Sequence, residues 1–133
     1  MEYLIAAFIF FYLFMLMTTF VSKRDMKWVE LRKMYSCSKS DIKPIEALDS
    51  DGRIFYAING NWSNTNLISV CRDQYCLYMW GSELSCGWMF QPVKIPFSEM
   101  QYVKTKLCFF KRRDVYEISI SNTAFQYAVP KKH

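Results

Sequence analysis

Residues able to do covalent chemistry are few in this chain, and their spacing limits each of them. The sequence holds one histidine, His133, so no Ser-His or Cys-His pair forms within the body of the chain, and an imidazole base has no nucleophile beside it to activate. Ser98-Glu99 puts a hydroxyl next to a carboxylate. Without a histidine there is no ordinary triad, and Ser98, following Pro96-Phe97, reads more simply as the cap of a turn or short helix. The five cysteines, Cys37, Cys71, Cys76, Cys86 and Cys108, include no C-x-x-C, and with a single histidine no zinc set of the usual spacing can be assembled. Cys76 and Cys86 lie among apolar neighbours, where a thiol keeps its proton and stays inert. An odd, irregular set fits a reducing compartment better than a secreted disulfide scaffold. We therefore expect no catalytic residue, no metal and no cofactor, and a protein that works by binding.

Two groups of residues could bind. Lys104, Lys106, Lys111, Arg112 and Arg113 form the one basic concentration. Lys104 and Lys106 share a strand face and Lys111 to Arg113 fall in the turn toward the next strand, so the charges can converge on a phosphate or a carboxylate. A solvated face, contact with anionic lipid and contact with an acidic protein partner all remain open for them. The second group is aromatic: Trp62 in a turn-rich stretch, and Trp80, Trp88, Phe90 and Phe97 around Pro92 and Pro96. Most of these rings belong to a core. Still, Trp and Tyr dominate interaction hot spots, and Trp62, Trp88, Phe90 and Phe97 make a candidate protein-contact rim beside a proline-broken edge.

The element that must position all of this is Leu4–Val21, which carries no charge. At 1.5 Å per residue it reaches about 27 Å, close to the hydrocarbon thickness of a bilayer. A secretory signal peptide would need a basic leader and a small-residue cleavage site, whereas the leader here is Met1-Glu2 and Thr18-Thr19-Phe20-Val21 offers no A-x-A. A buried helix of a soluble protein would show a polar stripe, and the only polar side chains are Tyr12, Thr18 and Thr19. A retained anchor is the favoured reading. Glu2 precedes it and Lys23, Arg24 and Lys27 follow, so the positive-inside rule puts the domain in the cytoplasm and the N-terminus outside the inner (plasma) membrane. The chain has 17 Lys+Arg against 12 Asp+Glu, a modest excess that, in a tethered domain, speaks against nucleic acid as a partner.

The remaining residues suffice for one small domain. Residues 1–22 read as the transmembrane anchor, 23–36 as a juxtamembrane amphipathic helix, 37–52 as a connecting segment and 53–133 as a β-rich domain. Ser22-Lys23-Arg24-Asp25 has the form of a capping box that would begin or restart a helix. Trp28, Leu31 and Tyr35 then make one apolar stripe, to be packed on the domain or laid in the headgroup region with Trp28 and Tyr35 as anchors. Pro44 limits any helix in the connecting segment to a short piece after it, Ile45 to Leu48. From Arg53 the period changes to two. Strands are expected over Arg53–Ile58, Leu67–Arg72, Tyr75–Trp80, around Val103–Phe109, Tyr116–Ile120 and Phe125–Val129, with Asn59–Asn66 as a connection and Trp88–Phe97 as an edge, a bulge or a loop. The expected fold class is one transmembrane helix plus a mainly β domain, a small antiparallel barrel or sandwich, with a short amphipathic helix before it.

Trp28 to Tyr35 (WVELRKMY), Leu77-Tyr78-Met79 and Val93 to Met100 (VKIPFSEM) resemble a pattern in small bacterial single-pass membrane proteins of unknown function. Those proteins combine an N-terminal span with W-x-x-L-x-x-x-Y, L-Y-L and I-P-[WF]-S-E blocks and a soluble part expected to be pleckstrin-homology-like. The resemblance implies such a barrel here and brings no catalytic residue with it. That pattern continues with a C-terminal helix that would close one end of the barrel, where this sequence reads Ala128-Val129-Pro130-Lys131-Lys132-His133. The function expected is a membrane-anchored binding module acting on an unidentified protein partner, as an accessory subunit or an immunity-type inhibitor. The alternative is an anionic-lipid-binding barrel at the inner leaflet. An enzyme with an unrecognised site is disfavoured by the lack of an acid, base and nucleophile set.

Overall fold

The computed structural model describes residues 1–46, 50–51, 53–82, 89–108 and 111–130. Helix α1, Glu2–Asp25, opens the chain. It contains no glycine or proline, and Glu2 in its first turn and Lys23 and Arg24 in its last suit the helix dipole. Only 6% of its most apolar window is buried, which distinguishes it from a core helix, and it is long and apolar enough to cross a membrane. The Thr18 and Thr19 hydroxyls donate to the Phe14 and Met15 carbonyls at 2.9 and 2.8 Å, so neither needs water. Within Glu2–Val21, Thr19 is buried and Met15 and Leu16 are half-buried, Met15 against the domain's core.

The capping box expected at Ser22 is not used: α1 runs through it, and the break comes at Lys27, whose backbone is left-handed (φ 50°, ψ 45°). The physical reason lies in the next residues, because Met26 and Trp28 are fully buried and the chain must reverse to bring both into the domain. Helix α2, Trp28–Tyr35, turns its stripe of Trp28, Leu31 and Tyr35 inward. Trp28 Nε1 donates to the Gln91 carbonyl at 3.0 Å and the ring meets Phe90 edge-on at 5.1 Å. The headgroup-lying alternative for Trp28 and Tyr35 is thereby overturned.

Helix α3, Lys39–Glu46, contains Pro44 instead of following it. Its start explains the difference. Asp41 Oδ2 accepts from the Ser38 N–H at 3.1 Å and from its hydroxyl at 3.0 Å, while the Asp41 N–H donates to the Ser38 carbonyl at 3.1 Å, so the first turn is fixed upstream of the proline. Pro44 then costs one hydrogen bond, to the carbonyl of the exposed Ser40.

The β domain consists of β1 (Ser50–Asp51), β2 (Ile54–Ile58), β3 (Asn61–Thr65), β4 (Ile68–Arg72), β5 (Cys76–Gly81), β6 (Val93–Pro96), a 3-10 turn at Phe97–Glu99, β7 (Gln101–Cys108), β8 (Lys111–Ile120) and β9 (Thr123–Pro130). All pairings are antiparallel, in two sheets ordered β1-β4-β5-β6 and β3-β2-β9-β8-β7 that do not close into one barrel. Asn59–Asn66 is not one long connection: Asn59-Gly60, both with positive φ, makes a two-residue hairpin turn, and Asn61–Thr65 pairs back on β2 as a polar edge strand. Ser121-Asn122 turns β8 into β9 the same way. The alternation of Ile54 and Tyr56, Val70, Leu77 and Met79, Ile118 and Ile120, and Phe125 and Tyr127 gives each sheet an apolar inner face. These faces and the α2 stripe form the main core. A second cluster on the outer face of the four-stranded sheet, Cys71, Cys76, Tyr78 and Trp80, is covered by Ile42 and Ile45 of α3.

Candidate interaction site

Register decides which of the basic residues converge. Lys104 pairs with Val115, Lys106 with Arg113 and Cys108 with Lys111. Directly opposed residues share a face, so Lys104, Lys106, Lys111 and Arg113 lie together and Arg112, opposite Leu107, lies on the other side. Lys111 to Arg113 are therefore the first residues of β8 and not a turn. The shared face is only partly a solvated one. Arg113 is 5% exposed with its guanidinium 4.7 Å from the centre of the Phe55 ring, and Lys106 Nζ sits 4.0 Å from that of Trp62. Trp62 and Lys106 belong to the two opposite edges of the five-stranded sheet, which a flat sheet would hold about 19 Å apart. Their contact requires the sheet to curl. The curl makes a groove of about 220 Å³ whose walls include Phe55, Trp62, Asn64, Lys106 and Leu107, over a floor of buried Val115 and Ala128.

The aromatic rim does not assemble as expected. Phe90 is buried against Trp28 and belongs to the core, because the segment before β6 is where α2 docks. Phe97 is half-buried between the Arg72 guanidinium, 4.3 Å from its centre, and Tyr116 at 4.6 Å. Trp62 is half-buried in the groove on the far sheet, and Trp88 lies outside the described residues. β6 is an edge strand, as its prolines require, but its rim is taken: Ser36 bridges to Val93 and the Cys37 N–H donates to the Pro92 carbonyl at 3.3 Å. The open edge is β7. Among the described residues no strand lies outside it, and Tyr102, Val103 and Leu107 are 53%, 40% and 65% exposed, interleaved with Lys104 and Lys106.

Sequence reasoning missed Arg72. It is 4% exposed and ties the sheets together, with Nη1 3.6 Å from Asp114 Oδ2 and 3.3 Å from the Pro130 carbonyl, and Nε donating to the Asp73 carbonyl at 3.2 Å. Asp114 also accepts from Thr105, whose hydroxyl meets that of Tyr102 at 2.8 Å, so the buried pair is wired to the β7 edge. The signal was present: Ile68, Val70 and Arg72 alternate on one face, as do Asp114, Tyr116, Ile118 and Ile120, which puts a cation and a carboxylate at inward positions. No family model, curated protein or solved structure matches the chain.

Burial sets the state of several further groups. Burial, then the nearby Glu99 charge, pushes the Tyr35 hydroxyl up. Burial likewise raises the Cys37 thiol, helped by Asp41, and the Cys76 thiol, helped by Asp73. Both are poor nucleophiles. Cys86 lies outside the described residues, and among the described ones no group of three His, Cys, Asp or Glu is placed to hold a metal.

Proposed function

We propose that the protein is a non-enzymatic binding module, anchored in the inner membrane by α1 with its domain on the cytoplasmic side, and that β7 docks an extended acidic segment of a protein partner. One observation carries this reading: an edge strand of eight residues, with no described strand on its outer side and with exposed Tyr102, Val103 and Leu107 between lysines. An added strand gains main-chain hydrogen bonds along the edge, and its side chains meet the apolar positions of β7. Lys104 and Lys106, with the register shift between Tyr102 and Lys104, oppose pairing with a second copy of the same strand, which would set lysine against lysine. An acidic strand turns the same charges into attraction. The partner role is that of an accessory subunit or an immunity-type inhibitor. The pleckstrin-homology-like relationship belongs to the same proposal, supported by a curled antiparallel sheet packed on a second one.

The test places a photo-crosslinking amino acid at Leu107, or at exposed Tyr75 as control, in the full chain in its own membrane. We expect a discrete crosslinked protein from Leu107 alone, and its loss by about tenfold when Val103→Asp and Lys104→Glu reverse the edge. Equal crosslinking from both positions, or indifference to the reversal, rejects the docking edge. If the reversal instead weakens only attachment to anionic vesicles, the lipid-binding alternative replaces it.

A further inference from the structure

The corner where α1 hands over to α2 holds a second basic site. Lys23 from the last turn of α1 and Arg32 and Lys33 from α2 line a cavity of about 390 Å³, with Trp28, Val29 and Ser36 among its other walls. That is the size of a small-molecule site. None of the described residues lining it is acidic. Three cations brought together repel one another, and an anion seated among them offsets that cost. Arg32 supplies a further sign. Its Nε is buried and has no hydrogen-bond partner among the described residues, although a guanidinium presents its donors as a planar fork suited to two oxygens at once.

Depth adds to charge. Lys23 follows Val21, the last residue of the candidate span, by two positions, which along a helix is about 3 Å. If α1 crosses the membrane, the cavity therefore opens at the level of the headgroups. Val29, 54% exposed at its wall, offers an apolar surface on the same side as the cations. We propose that this corner binds a phosphate group, that of an anionic phospholipid headgroup, gripped by Arg32 and neutralised by Lys23 and Lys33. The site differs in place and ligand from the β7 edge; it rests on α1 as a span and not on strand docking.

The experiment uses the full chain in a non-ionic detergent, titrated with short-chain phosphatidylglycerol, with short-chain phosphatidylcholine and with inorganic phosphate, and read by phosphorus NMR. Saturable binding of phosphatidylglycerol, weaker by about tenfold in Arg32→Gln, is expected. A Lys23→Gln, Lys33→Gln variant removes charge without touching a buried group and should weaken it comparably, which keeps the test decisive if Arg32→Gln does not fold. Arg112→Gln, on the far hairpin and on the face away from Lys104 and Lys106, should leave it unchanged. Binding that ignores both corner variants, or that falls equally with the hairpin variant, or that phosphatidylcholine matches, overturns the proposal. Displacement of the lipid by an equal concentration of inorganic phosphate overturns the lipid source and assigns the site to free phosphate. Since none of these readouts involves a protein partner, a failure here is distinguishable from a failure at β7.

Discussion

At the scale of single residues the buried ion pair is the most exposed to test. Arg72 and Asp114 are 4% and 14% accessible, so removing one member leaves the other desolvated without its counter-charge. Arg72→Ala is expected to cost about 3–5 kcal/mol in chemical denaturation of the detergent-solubilised full chain. Arg72→Met with Asp114→Leu should recover most of that loss, because two apolar groups fill the space with no charge to desolvate. Equal losses in both variants would mean that the pair contributes by shape alone. Asp73 yields a pH dependence. Burial alone would raise its carboxyl, but the Tyr75 and Cys76 N–H groups, each 2.7 Å from Oδ1, and the Tyr78 hydroxyl, 3.1 Å from Oδ2, hold it below the ordinary 3.8. A depressed carboxyl stabilises the fold above its unfolded value and loses that contribution as pH falls through the folded one. Stability should therefore decline below pH 3.8 less steeply in Asp73→Asn than in the parent chain. Two residues of the expected set, Lys106 and Arg113, were legible as charges but not as partners of Trp62 and Phe55, because the curl that joins two sheet edges leaves no periodic mark in the chain.

At the scale of elements, what was readable followed from period and turn chemistry. Alternation marked β7, β8 and β9, the Asp73-Gln74 turn marked the β4–β5 hairpin, and the Trp28, Leu31, Tyr35 spacing marked α2. The misjudged elements have local causes. The start of α3 was set by the Ser38–Asp41 hydrogen bonds, three residues before the proline that drew attention. β3 carries no apolar alternation, because an edge strand of Asn61, Trp62, Ser63, Asn64 and Thr65 has solvent beside it; only the Asn59-Gly60 turn announces it. That turn can be tested. Gly60 has φ +87° and an added Cβ would meet nothing within 4 Å, so Gly60→Ala is penalised by backbone alone, by about 1–2 kcal/mol. Lys27, at φ 50°, is the reverse case: Lys27→Gly relieves a left-handed lysine and should raise stability by about 0.5–1 kcal/mol. Thermal unfolding of the two variants should move in opposite directions, and a shared direction would place the control of these turns elsewhere.

At the scale of the whole molecule, the domain is joined to α1 as a seated body and not as a weight on a string. Lys27 is the one break between α1 and α2, Met26 and Trp28 on either side of it are fully buried, and the bridge from Ser36 to Val93 fastens the far end of α2 to the four-stranded sheet. Met15 also packs on the core, so the domain touches α1 as far back as ten residues, about 15 Å, before its end at Asp25. Such a body has one attitude relative to α1, and if α1 crosses a membrane, the side that the body occupies decides what every surface can meet. The flanking charges, Glu2 before the span and Lys23, Arg24 and Lys27 after it, favour the cytoplasm. Tyr75, 74% exposed in the turn between β4 and β5, is a position where a label can report this. Tyr75→Cys in the full chain should resist a membrane-impermeant thiol reagent in intact cells and react after lysis, while the protein stays in the membrane fraction through a carbonate wash. Reaction in intact cells would turn the domain outward, and with it both the β7 edge and the cavity at Arg32 would face a different leaflet and different partners.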